Sequence, residues 1–295
     1  MALQLHLACR LLGPNEPLDL VRQVYDHPFV IPWIRVTTMQ PEPATQQLVG
    51  QIEEWRAAGV RNDVELQRIK QQVEQLKGTA QRAYAYMLLG MIACLRDDPE
   101  TMRSNHETSV LLDPTNKVVN DNYCTSLLAT GFLQEPLERE GKAFTESGEN
   151  PDYAPKYTGA LFSAGRIDDA IAIMKKTNTE IVGDTHMTLG QLGEWRDVLA
   201  DCEVSDDEAQ EAIETVYATM QEHGYYFHAD ALDYCHDESR SWLSLVVRPA
   251  AAGGLSEVMK LNDYLVEKVA SGSYKAFETG ALVARFAPVR SNNGG

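Results

Sequence analysis

Residues 228–237, HADALDYCHD, gather His228, Asp230, Asp233, His236 and Asp237 into one short run. Imidazole nitrogens and carboxylate oxygens are the ligands of zinc and the commonest general acids and bases. On a strand, His228 and Asp230 share a face. His236 lies eight residues further on, about 26 Å away at the strand rise, so one ion cannot take both histidines. Asp237 has the character of a turn residue. The pair His228 and Asp230 is therefore the candidate polar site of an enzyme or enzyme regulator. The plainer reading is a set of polar residues on a solvated sheet face.

Other chemical signals are missing from the sequence. It contains no Walker loop, G-x-G-x-x-G, G-x-S-x-G or H-E-x-x-H. Cys9, Cys94, Cys124, Cys202 and Cys235 are scattered without a C-x-x-C pair, which argues against a disulfide framework or a zinc ribbon and fits a reducing cytoplasm. None of them shows the nearby histidine and basic setting of a nucleophile. The expectation is no catalytic residue, no metal and no cofactor.

With 43 acidic against 26 basic side chains, the 295-residue chain carries a formal charge of -17. Affinity for a phosphate backbone comes from Lys and Arg displacing counterions, so a general nucleic-acid binder is disfavoured. A basic partner, or simple solubility, suits this charge better. The opening MALQLHLACRLLG lacks a basic leader and is interrupted by His6 and Arg10, unlike a signal peptide. No run approaches the roughly twenty apolar residues of a membrane span.

The elements that would position any site show a period. At an offset of 34, Asp97, Gly131 and Gly165 fall in one column, each where one helical pattern stops and another starts. Seven residues before them stand Gly90, Cys124 and Thr158; five after stand Met102, Pro136 and Ala170; twelve after stand Ser109, Ala143 and Thr177. Small residues recurring where two helices must approach closely, with a turn residue between, are the requirement of a helical hairpin. In SVLLDPTNK (109–117) Pro114 ends one unit and Thr115 and Asn116 lead into the next.

The segment 83–116, AYAYMLLGMIACLRDDPETMRSNHETSVLLDPTN, resembles a tetratricopeptide repeat, through Tyr86, Leu89 and Gly90 in a first helix and Leu112-Asp113-Pro114 at the end of a second. Residues 117–150 resemble a second unit. A third begins at Pro151, where Ala164-Gly165-Arg166-Ile167-Asp168-Asp169-Ala170 follows the family's turn pattern. Met102 and Pro136 depart from the usual alanine. A truncated echo at THMTLGQLGEWRDVLAD breaks register and has the character of a cap. The resemblance covers about residues 83–200 and implies a mainly α fold, a helical-hairpin solenoid that binds a protein or peptide.

By the same resemblance the first helices line a groove with Tyr84, Met87, Met91, Asp121, Thr125, Leu128, Asp152 and Phe162 as its variable positions. None of these groove positions holds a lysine of the kind the carboxylate-clamp subfamily uses. The competing reading is that YAYMLLGMIACL is core covered by an upstream hairpin. Groove recognition predicts that Met87→Glu or Phe162→Glu abolishes partner capture and leaves the melt nearly unchanged.

That upstream hairpin is expected over 45–59 and 63–78, both helix-periodic and ended by glycine. Before it, a helix over 17–25 and an extended arm at FVIPWIRV are expected, within an N-terminal arm spanning 1–44. Downstream, Ser205-Asp206-Asp207-Glu208 is a capping box opening a helix over 206–222. The runs YYFHADALDY and SWLSLVV, a helix over 255–270 and ALVARFAPV follow, which predicts an α-β-β-α-β order and a separate small α+β domain over 205–290, after the repeat domain of 45–204. The tail 291–295 is expected to be disordered. Between Ser205 and Ser239 stand ten acidic residues and no lysine or arginine.

The leading expectation is a cytoplasmic adaptor or regulatory scaffold without enzymatic activity. Its partner is a protein or peptide of basic character, with no membrane contact, and the acidic module adds a second contact or self-association. The alternatives are an enzyme or enzyme regulator acting through His228 and Asp230, and an acidic mimic of nucleic acid that blocks a basic site.

Overall fold

The computed structural model describes residues 43–58, 63–182, 187–237, 239–250 and 254–288. The expectations for an N-terminal helix, the extended arm and the C-terminal tail lie outside these residues. The helices are α1 (Pro43–Ala58), α2 (Asp63–Leu76), α3 (Arg82–Leu95), α4 (Pro99–Leu112), α5 (Lys117–Leu128) and α6 (Gln134–Glu146). After a 3-10 turn at Pro151–Tyr153 come α7 (Ala154–Ser163), α8 (Ile167–Thr177), α9 (Leu189–Asp201) and α10 (Asp206–Glu222). The chain closes with β1 (His228–His236), β2 (Ser241–Pro249), α11 (Leu255–Ser271), α12 (Lys275–Glu278) and β3 (Leu282–Phe286). The described chain is thus mainly helical, with a small sheet at its C-terminal end. No helix among the described residues is long and apolar enough to cross a membrane.

The 34-residue period is visible in the backbone. Asp97, Gly131 and Gly165 all adopt left-handed φ, at 58°, 76° and 77°. Each closes its helix with the same two hydrogen bonds. The N–H of the left-handed residue reaches the carbonyl three back (Cys94, Leu128, Phe162), and the next N–H reaches the carbonyl five back (Ala93, Leu127, Leu161), at 2.9–3.1 Å. This is the Schellman closure, which satisfies carbonyls a helix end leaves orphaned. The column seven residues earlier is buried too. At Gly90 an added Cβ would lie 2.5 Å from the His106 ring, so α3 and α4 touch where only glycine fits. At the end of α4 the N–H of Asp113 reaches Ser109, and Asn116 then caps α5 by accepting from Val118 and Val119.

One continuous segment crosses all three turns. Asp206 at the start of α10 accepts the N–H groups of Asp168 and Asp169 at the start of α8 (3.2 and 3.1 Å). Ile213 lies 2.7 Å from where a Cβ on Gly165 would stand, and Tyr217 lies 2.9 Å from one on Gly131. Gln221 donates to the Thr130 carbonyl at 2.8 Å. Beyond the helix, Tyr226 and Phe227 donate to the Asp97 carboxylate. Ala209 and Ile213 at one turn and Tyr217 and Gln221 at the next differ by eight residues, about 12 Å along an α-helix, which is close to the spacing of packed helix pairs. The two glycines therefore answer two needs, left-handed backbone and contact with α10.

The capping box forms as the sequence requires: Glu208 N–H donates to Ser205 Oγ and Ser205 N–H to the Glu208 carboxylate. The sheet has the order β1-β2-β3, with β1 and β2 antiparallel (Leu232 opposite Leu245) and β2 and β3 parallel (Leu245 opposite Ala284). The crossover from β2 to β3 runs through α11 and α12. Asn262 of α11 bonds both the N–H and the carbonyl of Phe286, occupying groups that an edge strand leaves open.

Two clusters of buried side chains form the core. One joins α1–α5 with Phe227; the other joins Leu133 and α7–α9 to α10, Leu243, Leu245, Val247, α11 and Phe286. The packing is thus continuous across the boundary expected at 204/205. The α+β segment lies against the hairpins and shares its core with the last of them.

Candidate functional site

Helices α3 and α5 have buried residues round most of their circumference. On α3, Tyr84, Met87 and Met91 are buried, Met87 with 0 % of its surface exposed. On α5, Asp121 and Thr125 are buried and Leu128 is half-buried, while Phe162 of α7 packs on Trp195 with ring centroids 5.0 Å apart. Of the eight, only Asp152, in the 3-10 turn, is exposed. Of the eight groove positions, six are thus enclosed, and Met87 has no surface for a partner to touch. An apolar helical stripe shows that something covers it, and here the cover is α1, α2, α4 and α5.

Asp121 and Thr125 belong instead to a buried polar cluster between α5 and α6. Lys117 donates to both carboxylate oxygens of Asp121 at 3.0 and 2.7 Å, and Thr125 Oγ1 donates to the Asp121 carbonyl. One turn along α5 from Asp121 stands Cys124, hydrogen-bonded to the buried Glu140 of α6. Burial, then the charge of Asp121, pushes the Glu140 carboxyl up to about 6. Burial, then the charge of Glu140, drives the Cys124 thiol well above its ordinary value, which makes it a poor nucleophile. Glu140 and Cys124 carry no motif in the sequence. Cys124 stood out only through its column in the 34-residue period, and Glu140 only through its place in the second helix of the same hairpin.

A second polar group lies on the opposite side of α5. His106 is fully buried, stacks on Tyr123 (5.0 Å, 7°) and lies 2.9 Å through Nε2 from Ser126 Oγ. Burial, then the Arg139 charge, lowers its pKa to about 3, so the ring is neutral. Arg139 covers the Tyr123 ring at 4.3 Å and donates to Glu135, which also accepts from Arg103. Burial raises the Glu135 carboxyl, but the two guanidinium groups outweigh it and hold the group below its usual range. This group cross-links α4, α5 and α6, with Arg103, Glu135 and Arg139 partly exposed and His106 Nδ1 enclosed without a hydrogen-bond partner.

On the sheet, His228 is buried against Tyr217 (centroids 4.8 Å apart), with Nδ1 2.9 Å from the Tyr226 carbonyl. Asp230 faces Val247 in the register, and its side chain lies outside the described residues. His236 is exposed at the far end of β1, eight residues from His228 as the strand requires. Asp237 folds the hairpin turn by accepting the N–H groups of Ser239 and Arg240. Among the described residues no three metal-binding side chains converge.

No protein-family model matches the chain, and comparison with curated proteins and with solved structures finds no match.

Proposed function

We propose that the chain is a cytoplasmic protein-binding scaffold built on tetratricopeptide-like hairpins, recognising a basic protein or peptide. The observation that carries this reading is the threefold Schellman closure at Asp97, Gly131 and Gly165, spaced by 34 residues and held by one crossing segment. Such an array presents a rigid surface at little ordering cost on binding. Because Met87 and Phe162 are enclosed, recognition uses what the hairpins leave open. That surface comprises Asp152 with the accessible part of Leu128, and the acidic ridge that includes Asp207 and Glu211. The formal charge of -17 favours encounter with a basic partner. The exposed stripe Leu255, Met259 and Val266 on α11 offers a second, apolar contact.

The test is capture from native cells with the full chain, compared with Asp152→Lys and with Asp207→Lys/Glu211→Lys. A partner lost from the charge-reversed chains at an unchanged melting temperature, and released by salt, supports the reading. Capture indifferent to both reversals and to salt sinks it.

A further inference from the structure

Between α2, α3 and the start of α4 lies a cavity of about 120 Å³ whose charged lining is Lys70, Glu74, Lys77, Arg96 and Asp98. Three cations face two carboxylates, and both carboxylates are already engaged. Glu74 pairs with Lys77 at 2.7 Å, and Asp98 accepts the N–H of Thr101 at 3.0 Å as the N-cap of α4. Lys77 is further held over the Tyr86 ring at 4.9 Å.

The other two cations are different. Lys70 is half-buried and makes no hydrogen bond or ion pair among the described residues. Arg96 donates from Nη2 to Gln67 at 3.2 Å, has no carboxylate partner there, and its Nε is enclosed with no acceptor. Acids outnumber bases by 43 to 26 in this chain, so two partly buried cations without counter-charge in one cavity run against the composition. An enclosed guanidinium N–H without an acceptor is costly, and an anion is the group that supplies one.

We propose that this cavity binds a small oxyanion of the phosphate class, with Lys70 and Arg96 as its charged ligands. The volume falls well below the roughly 300–1,000 Å³ of sites for drug-sized molecules, so the occupant is a single tetrahedral group and not a nucleotide. The inference is independent of the scaffold reading, since none of these residues belongs to the surface assigned to the partner.

The experiment titrates the full chain with inorganic phosphate, and separately with methyl phosphate, at constant ionic strength in chloride. Calorimetry is followed beside the melting temperature for wild type, Lys70→Gln, Arg96→Gln and the exposed Lys142→Gln. The expected result is saturable binding that raises the melting temperature of wild type and Lys142→Gln, weakened about tenfold or more in Lys70→Gln and Arg96→Gln. Binding of inorganic phosphate alone identifies the free ion, and binding of both identifies the phosphoryl group. Lys70 forms no hydrogen bond or ion pair among the described residues, so Lys70→Gln melts like wild type without phosphate. No saturable binding, or equal affinity in wild type and Lys70→Gln, overturns the proposal.

Discussion

The Asp97 carboxylate accepts the backbone N–H of Phe227 at 2.7 Å, and that of Tyr226 at 2.9 Å, across about 130 residues of chain. Asp97 occupies the column that glycine fills at 131 and 165, in the same left-handed conformation. Aspartate tolerates this region better than most residues. Here its side chain also satisfies two N–H groups, which glycine could not do. Asp97→Ala should destabilise the protein by roughly 3 kcal/mol in urea unfolding, through two lost bonds to a carboxylate and left-handed strain. Asp97→Gly removes the bonds but not the permitted backbone, and should cost about 1 kcal/mol less. Equal losses for the two variants would show that backbone strain plays no part.

Gly90 and His106 form a second pair. Gly90→Ala places a methyl group 2.5 Å from the imidazole and should cost about 1–3 kcal/mol as an overpacked contact. In His106→Ala that obstacle is gone, so the double variant should be more stable than the sum of the singles by about 1 kcal/mol or more. Strict additivity would mean that the helices do not meet at this point.

Met87→Glu and Phe162→Glu now carry the opposite expectation from the groove reading. Met87 has 0 % and Phe162 9 % of its surface exposed, so each change buries a carboxylate in an apolar core. Both should lower the circular-dichroism melt sharply, by roughly 3–5 kcal/mol of stability. Asp152→Ala, at an exposed position, should leave it unchanged. A near-native melt for Met87→Glu would return α3 to the binding surface.

Glu140 gives a pH prediction. Its folded pKa, raised to about 6, exceeds the ordinary carboxyl value of 4.5. The folded chain therefore holds this proton more tightly than the unfolded one. Its stabilising contribution is complete below about pH 4.5 and is lost as the pH rises through about 6, amounting to about 2 kcal/mol. His106 acts in the opposite sense. Its pKa falls from 6.5 to about 3, so its contribution is complete above pH 6.5 and is lost as the medium is acidified. The two trends oppose each other between roughly pH 4.5 and 6. Glu140→Gln should be more stable than wild type at pH 7.5, with the gap closing towards pH 4.5. A gap that is constant with pH would exclude Glu140 as its source.

Local features were legible from residue types. Turns at Gly131 and Gly165, the Ser205/Glu208 capping box, the Asp237 turn and the α-β-β-α-β order, apart from the short α12 before β3, rest on contacts within a few residues, which sequence encodes directly. The column at offset 34 also located Asp97, although glycine would be the ordinary choice there. The polar cluster was only half legible: Asp121 and Thr125 stood out, but Glu140 and Cys124 meet them only once α5 and α6 pack.

The sequence by itself therefore determined where helices start, stop and repeat, because those events are settled by caps and backbone preferences. Tertiary structure decided which faces remain open. An apolar stripe on α3 demands cover without specifying it, and packing supplied α1, α2, α4 and α5 where a partner was expected. It also decided that the segment from Asp206 to Phe227 runs along the three turns. That arrangement depends on contacts such as Asp97 with Phe227, which no local pattern announces.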